Sequence, residues 1–529
     1  MSIMITRYAA LAAVFFATSA ASAQGSASDA LWAGCGENPV SKMTTFMAGP
    51  KAAKARTPKV LPEIGHQRCT LALDDPAMAN APWQRRASLL RSRARFALSS
   101  GDPEGALADL DLIKSIEQPD TVYTRSFGVS LLMLRALALA KTGQFEAATV
   151  SAMEAAKLRP WSDDIATFAA FIGQLDGSTS ADEAQFWTQA IRVSPSNIEQ
   201  RARIRSASGD WAGALHDWKH AESEPGSYGK AMDGRGGKFN LVTTEVDVTR
   251  TGQAALAAAM TGEIETARKW LAAARSAIES PPPGSDTPYH PRISAEKQTS
   301  RLAAWEGVVE AAGAYKSGDA SGAAERVYAL KNLPANMIVV QMLSSIAEAL
   351  PTASRAGPLR DVPSLRTQLL NSQRKAADND MLLTFLLADM PEHEDVAATN
   401  RYRSSILFLR ASGFKDTLRK DGTGATIKYF GDKSTPLAVG EMALLRAAEL
   451  AQKSGKPAFL IRDRSDYRMT STPTMYGSPI GPTVTAGYGS QIEVDFLDSI
   501  SADNARAIDA AALRAALEPI YIRADAAGS

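Results

Sequence analysis

The chain has 529 residues, a formal net charge of +1, 45% hydrophobic residues and 22% charged residues. This apolar content is sufficient for a sizeable buried core and excludes general disorder. Because the acidic and basic residues nearly cancel, the composition offers no broad positive field for a nucleic acid or an anionic membrane, and we expect no nucleic-acid partner. The length allows roughly two to four domains.

The N-terminal stretch, residues 1–23, has the features of a secretory signal. Arg7 supplies the positive charge, the apolar run AALAAVFFATSA follows it, and the segment 21–23 (ASA) fits the rule of small residues before a cleavage site. The apolar run is too short for a stable membrane anchor, and no later run is long and apolar enough to span a bilayer. We therefore expect an exported protein of the periplasm or cell envelope, with no transmembrane segment in the mature chain.

Two cysteines, Cys35 and Cys69, lie in the segment 24–81, between the expected signal and the first helical pattern. In an oxidising compartment an isolated pair usually forms a disulfide, and two buried free thiols are the alternative. Prolines and a glycine between the cysteines predict little regular structure there. We expect a Cys35–Cys69 bridge that pins this irregular segment to the first helical unit.

A ladder of small residues recurs five times within residues 82–392. Each unit has an alanine, a glycine seven residues later and a second alanine five residues after that. The five units are Ala94, Gly101 and Ala106; Ala136, Gly143 and Ala148; Ala202, Gly209 and Ala214; Ala255, Gly262 and Ala267; and Ala311, Gly318 and Ala323. A proline usually closes the unit, as at Pro119, Pro160, Pro225, Pro281 and Pro334. The recurrence indicates a row of similar structural units.

Each ladder unit is typical of a helix, a tight turn and a second helix. Glycine ends the first helix because it takes the left-handed conformation without steric cost. Aspartate follows the glycine in three units, at Asp102, Asp210 and Asp319, and can cap the second helix. The alanines are expected where the two helices cross, since a larger side chain there would push the backbones apart, and the proline stops the second helix.

These features resemble the tetratricopeptide repeat, which uses small residues at such spacings and a proline after its second helix. The similarity is carried by RARFALSSGDPEGALADLDLI, LRALALAKTGQFEAATVSAMEAAKLRP, ARIRSASGDWAGALHDWKHAESEP, ALAAAMTGEIETARKWLAAARSAI and the weaker AAGAYKSGDASGAAERVYALKNLP. The glycines are spaced more widely than the ~34 residues of the strict repeat, so insertions such as the single helix predicted for DEAQFWTQAIRVSP must fill the gaps. The resemblance implies a helical-hairpin solenoid over residues 82–392 that binds a protein or peptide; an irregular alanine-rich bundle is the alternative.

One interruption follows Pro225, where the sequence GSYGKAMDGRGGKFNLVTTEVDVTR is glycine-rich and then β-branched. The run 234–238 (GRGGK) has some likeness to a phosphate-binding loop. It lacks the Gly-Lys-Ser/Thr ending and a preceding strand. The pattern therefore favours a long loop between helices rather than a nucleotide site.

Composition changes near His393, and the segment 393–529 predicts a small α/β sandwich. The run GATIKYFGD predicts a strand, TPLAVGEMALLRAAELAQKSG an amphipathic helix, and PAFLIRDRSDYRMTST a second strand. A third strand, QIEVDFLD, and a last helix, NARAIDAAALRAALEPIY, complete a β-α-β-β-α order. On the first helix, Glu441, Arg446 and Glu449 are consistent with surface pairing of Arg446 with Glu449.

Residues 413–497 resemble a family of small proteobacterial envelope lipoproteins of unknown function. The similarity is carried by YFGD, the following TP, ALLRAAELAQKSG, the strand AFLIRD and the late amphipathic strand. That family usually has a lipid-modified cysteine, which this chain lacks in the segment. The resemblance implies residence in the cell envelope and no activity.

The sequence contains no motif that indicates a catalytic, cofactor or metal site. His216 and His220 have a zinc-compatible spacing but no third ligand in the pattern, so surface histidines are favoured. Asp463, Asp466 and Tyr467 follow a strand, but interleaved arginines favour charge pairing. We therefore expect a non-enzymatic scaffold that binds a protein or peptide, without a cofactor; an envelope enzyme or accessory with a site near Asp463 and Tyr467 is the alternative.

Overall fold

A computed structural model describes most of the chain. The described residues are Cys35, 62–177, 181–221, 228–232, 240–280, 295–377, 413–431, 436–471, 474–475, 478–479, 484–500 and 506–522. The expected signal, residues 1–23, lies outside them. The protein is mainly helical with a C-terminal antiparallel sheet of five strands, which confirms the expected fold class at this level. The chain forms two compact units, composed of residues 1–121, 131–144 and 471–484, and of residues 122–130, 145–470 and 485–529.

Most of the expected helical segments are present as helices. In chain order the α-helices are α1 (Pro62–Leu73), α2 (Trp83–Ser99), α3 (Pro103–Ile116), α4 (Thr121–Arg125), α5 (Phe127–Lys141), α6 (Phe145–Leu158), α7 (Asp163–Gly173), α8 (Ala181–Val193), α9 (Ile198–Ser208), α10 (Trp211–Lys219), α11 (Val248–Met260), α12 (Ile264–Glu279), α13 (Ala295–Lys316), α14 (Ala320–Ala329), α15 (Met337–Glu348), α16 (Gly357–Arg360), α17 (Val362–Ala377), α18 (Pro436–Lys453) and α19 (Ala510–Tyr521). The strands are β1 (Tyr228–Met232), β2 (Asn240–Val246), β3 (Gly413–Leu418), β4 (Gly424–Gly431), β5 (Ala458–Ser471), β6 (Thr474–Met475), β7 (Ser478–Pro479), β8 (Val484–Leu497) and β9 (Ile508–Asp509).

The ladder glycines lie in the turns between consecutive helices. Gly101, Gly143, Gly209, Gly262 and Gly318 have φ values of 83°, 79°, 87°, 91° and 91°. This left-handed region disfavours residues with a Cβ. All ten ladder alanines have no exposed surface. The small-residue pattern thus coincides with tight turns and with fully buried helix positions.

Aspartate caps the second helix in the three units where it follows the turn glycine. The side chains of Asp102, Asp210 and Asp319 each accept a hydrogen bond from the backbone N–H three residues later, at 2.8, 2.9 and 2.7 Å. That third residue is a glycine in all three units, and a Cβ there would lie 2.0–2.2 Å from the aspartate oxygen. The Gly-Asp-x-x-Gly pattern therefore contains the turn glycine, the capping aspartate and the glycine whose N–H donates to that aspartate.

In each of two ladder units, an ion pair joins the two helices of the hairpin. No sequence pattern predicted these pairs. Arg93 Nη2 lies 2.6 Å from Asp109 Oδ1, and Arg201 Nη2 lies 2.7 Å from Asp217 Oδ1. Each arginine directly precedes the first ladder alanine and each aspartate follows the second by three residues. The Asp217 side chain has no exposed surface, so the pair replaces hydration that burial removes.

The row of hairpins is interrupted at two places. Helices α7 and α8 lie between the second and third ladder units; α8 includes the single helix predicted there. After the third unit, the prediction of a long loop is wrong. The strands β1 and β2 pair there in antiparallel orientation, with Met232 opposite Asn240. The β-branched run in β2 favours this strand over an irregular loop. The glycine-rich run 234–238 lies outside the described residues, and the tetratricopeptide similarity stays a prediction.

The N-terminal segment contains more regular structure than its prolines predict. Pro62 begins helix α1, because proline is well tolerated in the first turn of a helix. Cys69 lies on this helix, and its sulfur is bonded to that of Cys35, with Cα atoms 4.5 Å apart. Both cysteines are fully buried in a cluster with Met78, Leu89 and Phe96 of the first compact unit. A disulfide-capable pair is therefore present, on a helical rather than an irregular segment.

Five of the C-terminal strands form one sheet in the order β3-β4-β8-β5-β9, and β6 and β7 pair separately with each other. The predicted strand, helix and long strands correspond to β4, α18, β5 and β8, whereas the edge strands β3 and β9 were not predicted. Alternate residues of β4, namely Ala425, Ile427 and Tyr429, pack in one core with α18 and α19. Short edge strands such as β9, with two residues, have too little alternation to be recognised from sequence.

Candidate functional site

A cleft of about 300 Å³ lies within the second compact unit. Helix α9 supplies one side of it through Gln200, Arg203, Ile204 and Ala207. These residues share a helix face because they follow the spacing i, i+3, i+4 and i+7. The first ladder alanine of the same helix, Ala202, lies on the buried hairpin side instead. One face of α9, which carries the ladder alanine, therefore packs inside the hairpin, and a different face lines the cleft.

Helix α17 forms a second wall of the cleft with Leu369, Ser372 and Gln373. Its C-terminal part is held by Arg374, whose Nε donates to the carbonyl oxygen of Leu175 at 2.9 Å. The guanidinium carbon of Arg374 also lies 3.9 Å from the ring centroid of Phe145, close enough for a cation–π interaction. These contacts keep α17 at the side of the cleft.

The remaining walls come from α7, α11 and α15. Gln174 and Gly177 follow the end of α7, Gln253 lies on α11, and residues 335–338 lead into α15 and include its first two residues. The side-chain Oδ1 of Asn336 accepts from the backbone N–H of Ile338 at 2.9 Å and caps α15. The N-terminal end of α15, which carries the positive end of the helix dipole, therefore faces the cleft.

Arg203 is the one charged side chain among the described residues that line the cleft. Its Nε donates to Gln253 Oε1 at 3.0 Å, and its Nη2 lies 3.5 Å from Glu199 Oε2. Its guanidinium carbon also lies 5.8 Å from the ring centroid of Trp218. Burial lowers the pKa of Arg203 below its ordinary value, with Glu199 and Asp247 acting in the opposite direction. The cation is held in place, but its surroundings do not fully replace its hydration.

Several cleft amides retain hydrogen-bonding capacity. Within the described ranges, the side chains of Gln174, Gln200 and Gln373 have no hydrogen-bond partner. Gln253 is only 5% exposed, and with its Oε1 occupied by Arg203, its Nε2 has no acceptor within the same ranges. Amide groups can donate and accept, so the cleft can bind a peptide group or a small polar molecule.

No sequence pattern predicted this cleft. Its residues come from five helices spread over Gln174 to Gln373, and none belongs to a recognisable motif. The sequence offers only a weak indication of the cleft. Two polar residues, Gln200 and Arg203, share a helix face with Ala207 in a segment expected to pack inside the array.

The two histidines considered as metal ligands lie on α10 and directly after it. The rings of His216 and His220 stack with centroids 4.3 Å apart, and His220 Nδ1 lies 2.7 Å from the carbonyl oxygen of His216. In the part of the chain that the structure describes, no three ligating side chains gather around a possible metal position. The local stacking and backbone contact agree with surface histidines.

Of the acidic residues of β5, Asp466 takes part in a charge pair, as the interleaved arginines suggest. Arg464 Nε lies 2.8 Å from Asp466 Oδ2, and Arg464 Nη1 donates to the carbonyl oxygen of Val193 at 3.0 Å. A Cβ at Gly489 would lie 2.4 Å from the ring of Tyr467, so the ring packs on this glycine. Burial raises the pKa of Tyr467, and the charge of Asp466 adds to the effect. These contacts hold the strand in place.

A buried ion pair connects the residue after α6 with α18, which packs against the C-terminal sheet. Arg159 donates from Nε and Nη2 to Glu441 Oε1 and Oε2 at 2.9 and 2.7 Å, and both side chains are 1% exposed. The Tyr521 hydroxyl donates to Glu441 Oε2 at 2.7 Å. Glu441 is buried because α18 packs against the sheet, whereas the predicted pairing of Arg446 with Glu449 is present, at 2.6 Å.

The comparisons with known proteins add no functional assignment. No protein-family model matches the chain, and no curated protein matches it. The described helices include none that is both long and apolar enough to cross a membrane.

Proposed function

We propose that the protein is a non-enzymatic scaffold of the periplasm or cell envelope that binds a protein or peptide partner through its helical array. The observation that carries this proposal is the cleft on α9, where glutamine side chains have no hydrogen-bond partner in the described chain. Polar groups at a cleft usually bind water or a ligand when the protein leaves them unpaired.

The amides of the cleft suit a peptide partner. Each glutamine side chain offers one acceptor and two donors, which matches the C=O and N–H of a peptide group. Ile204 and Ala207 lie one helical turn after the polar residues of α9 and provide apolar contact. The alternative site near Asp463 and Tyr467 is less favoured, since the neighbouring Asp466 is engaged in an ion pair with Arg464.

Site-specific photo-crosslinking in the exporting cell tests this proposal. A photoreactive amino acid at Gln200 is expected to crosslink a reproducible partner, while the same residue at Gln368, on α17 and exposed, is expected to give none. Substitution Ala207→Trp should fill the cleft and remove the crosslink at position 200. Partner crosslinks confined to the C-terminal strands, for example from Lys428, would contradict the scaffold function of the array.

A further inference from the structure

The cleft contains hydrogen-bond donors whose orientation is set by the protein. Arg203 Nε must donate, so Gln253 presents its Oε1 to Arg203 and its Nε2 elsewhere. The N–H of Ile338 must likewise donate, so Asn336 presents Oδ1 to the helix and retains its NH2 group. In both amides the acceptor is occupied and the donor remains.

From this donor arrangement we propose that the cleft binds a small carboxylate-bearing molecule, of the size of an acylated amino acid or a dipeptide. Arg203 provides the positive charge and a planar set of N–H groups that suits a carboxylate. Gln253 supplies a second donor from a side chain that is 5% exposed and aligned by its bond to Arg203. This ligand requires no protein partner, so the inference goes beyond the proposed scaffold function.

The start of α15 adds to the preference for an anion. The first backbone N–H groups of a helix have no acceptor within the helix, and they carry the positive end of its dipole. Met337 and Ile338, the first two residues of α15, line the cleft together with the cap residue Asn336. The side chain of Asn336 satisfies the N–H of Ile338, which leaves the N–H of Met337 as a donor at this end of the helix.

The size and the other lining residues define the rest of the ligand. A volume of about 300 Å³ lies at the lower limit for small-molecule sites. Ile204, Met337 and Leu369 provide apolar surface for a short side chain. Gln174 and Gln200, which have no partner in the described ranges, can bind one peptide or acyl amide group. A carboxylate joined to one amide and a short apolar group satisfies these requirements.

Isothermal titration calorimetry with a matched pair of probes tests the inference on the full mature protein. The probes are N-acetyl-alanyl-alanine and the same compound with a C-terminal amide, which differ only in the carboxylate. The acid is expected to bind at least tenfold more tightly than the amide. Equal affinities, or no binding of the acid up to about 5 mM, would overturn the inference.

Charge changes at Gln200 decide whether this cleft is the site. Because Gln200 makes no side-chain hydrogen bond in the described chain, its replacement should not disturb the fold. Gln200→Glu should weaken binding of the acid several-fold relative to the amide probe, and Gln200→Lys should strengthen it relative to the amide probe, because the lost side-chain amide contact is common to both probes. The matched variants Gln368→Glu and Gln368→Lys, on the exposed side of α17, should change neither affinity. A shift of the acid-to-amide affinity ratio in the same direction for both Gln200 variants would reject the cleft as the carboxylate site.

Arg203→Gln removes the charge directly and should reduce binding of the acid more than tenfold. Arg203 also contacts Glu199 and Trp218, so the thermal unfolding of the Arg203→Gln variant is measured in parallel. If this variant is unstable, the variants Gln200→Glu and Gln200→Lys decide whether the cleft binds the carboxylate. A partner crosslink at position 200 without binding of the acid would leave the scaffold proposal intact and refute this inference alone.

Discussion

The buried pair of Arg159 and Glu441 provides the sharpest test of how the end of α6 and the helix α18 of the C-terminal sheet region are held together. In Glu441→Gln the shape of the side chain is kept while its charge is lost. The Arg159 guanidinium, 1% exposed, would then be buried without the charge of Glu441. Nη1 of Arg159 would still donate to the carbonyl oxygen of Arg125, 2.5 Å away, so the variant tests charge more than hydrogen bonding.

The expected loss is large for a single substitution. Removing one partner of a buried ion pair typically costs about 3–5 kcal/mol, because the remaining charge cannot be hydrated. With a urea m-value of about 1–3 kcal/mol/M, the midpoint of the affected transition should fall by on the order of 1 M or more. Urea unfolding followed by circular dichroism and by tryptophan fluorescence measures the shift.

Two further variants separate charge burial from other effects. Replacing both partners, as Arg159→Met with Glu441→Leu, should recover most of the loss, since apolar residues of similar size often substitute for a buried pair. Glu310→Gln breaks the exposed pair with Arg268 and should cost at most about 1 kcal/mol. If Glu441→Gln costs no more than Glu310→Gln, the argument from charge burial is refuted.

Three other predictions concern the ladder and the cysteines. Gly143→Val should destabilise more than Gly143→Ala, which costs about 1–2 kcal/mol, because β-branched residues are strained at φ 79° although no atom lies within 4 Å of the added Cβ; equal melting temperatures would contradict a left-handed turn. Ala214→Leu should overpack the hairpin and cost about 1–3 kcal/mol, and an unchanged urea midpoint would contradict the helix crossing. Thiol titration of the unfolded, unreduced mature protein should find no free thiol from Cys35 or Cys69, whereas two would reject the bridge.

The helical hairpins could be predicted from the sequence because their determinants are local. The turn at Gly209 and the contact of Ala202 with its hairpin partner both join neighbouring segments, so the constraint appears as a fixed spacing along the chain. The cap at Asp210 acts within one turn of α10 and is equally visible in the sequence. The same reasoning explains why α18 was recognised, since its apolar residues repeat at helical spacing.

The rest depended on contacts between distant segments. Glu441 has the sequence pattern of a surface residue, and its partner Arg159 lies 282 positions away. Gln253 and Arg203 have no special spacing either, and they belong to one cleft only because α11 packs beside α9 and α10. Single-sequence patterns report which residues share a helix face, whereas which faces meet is decided by the packing of the whole unit. The sequence therefore determined the repeating hairpins, and the tertiary structure alone decided which charges are buried and where the cleft lies.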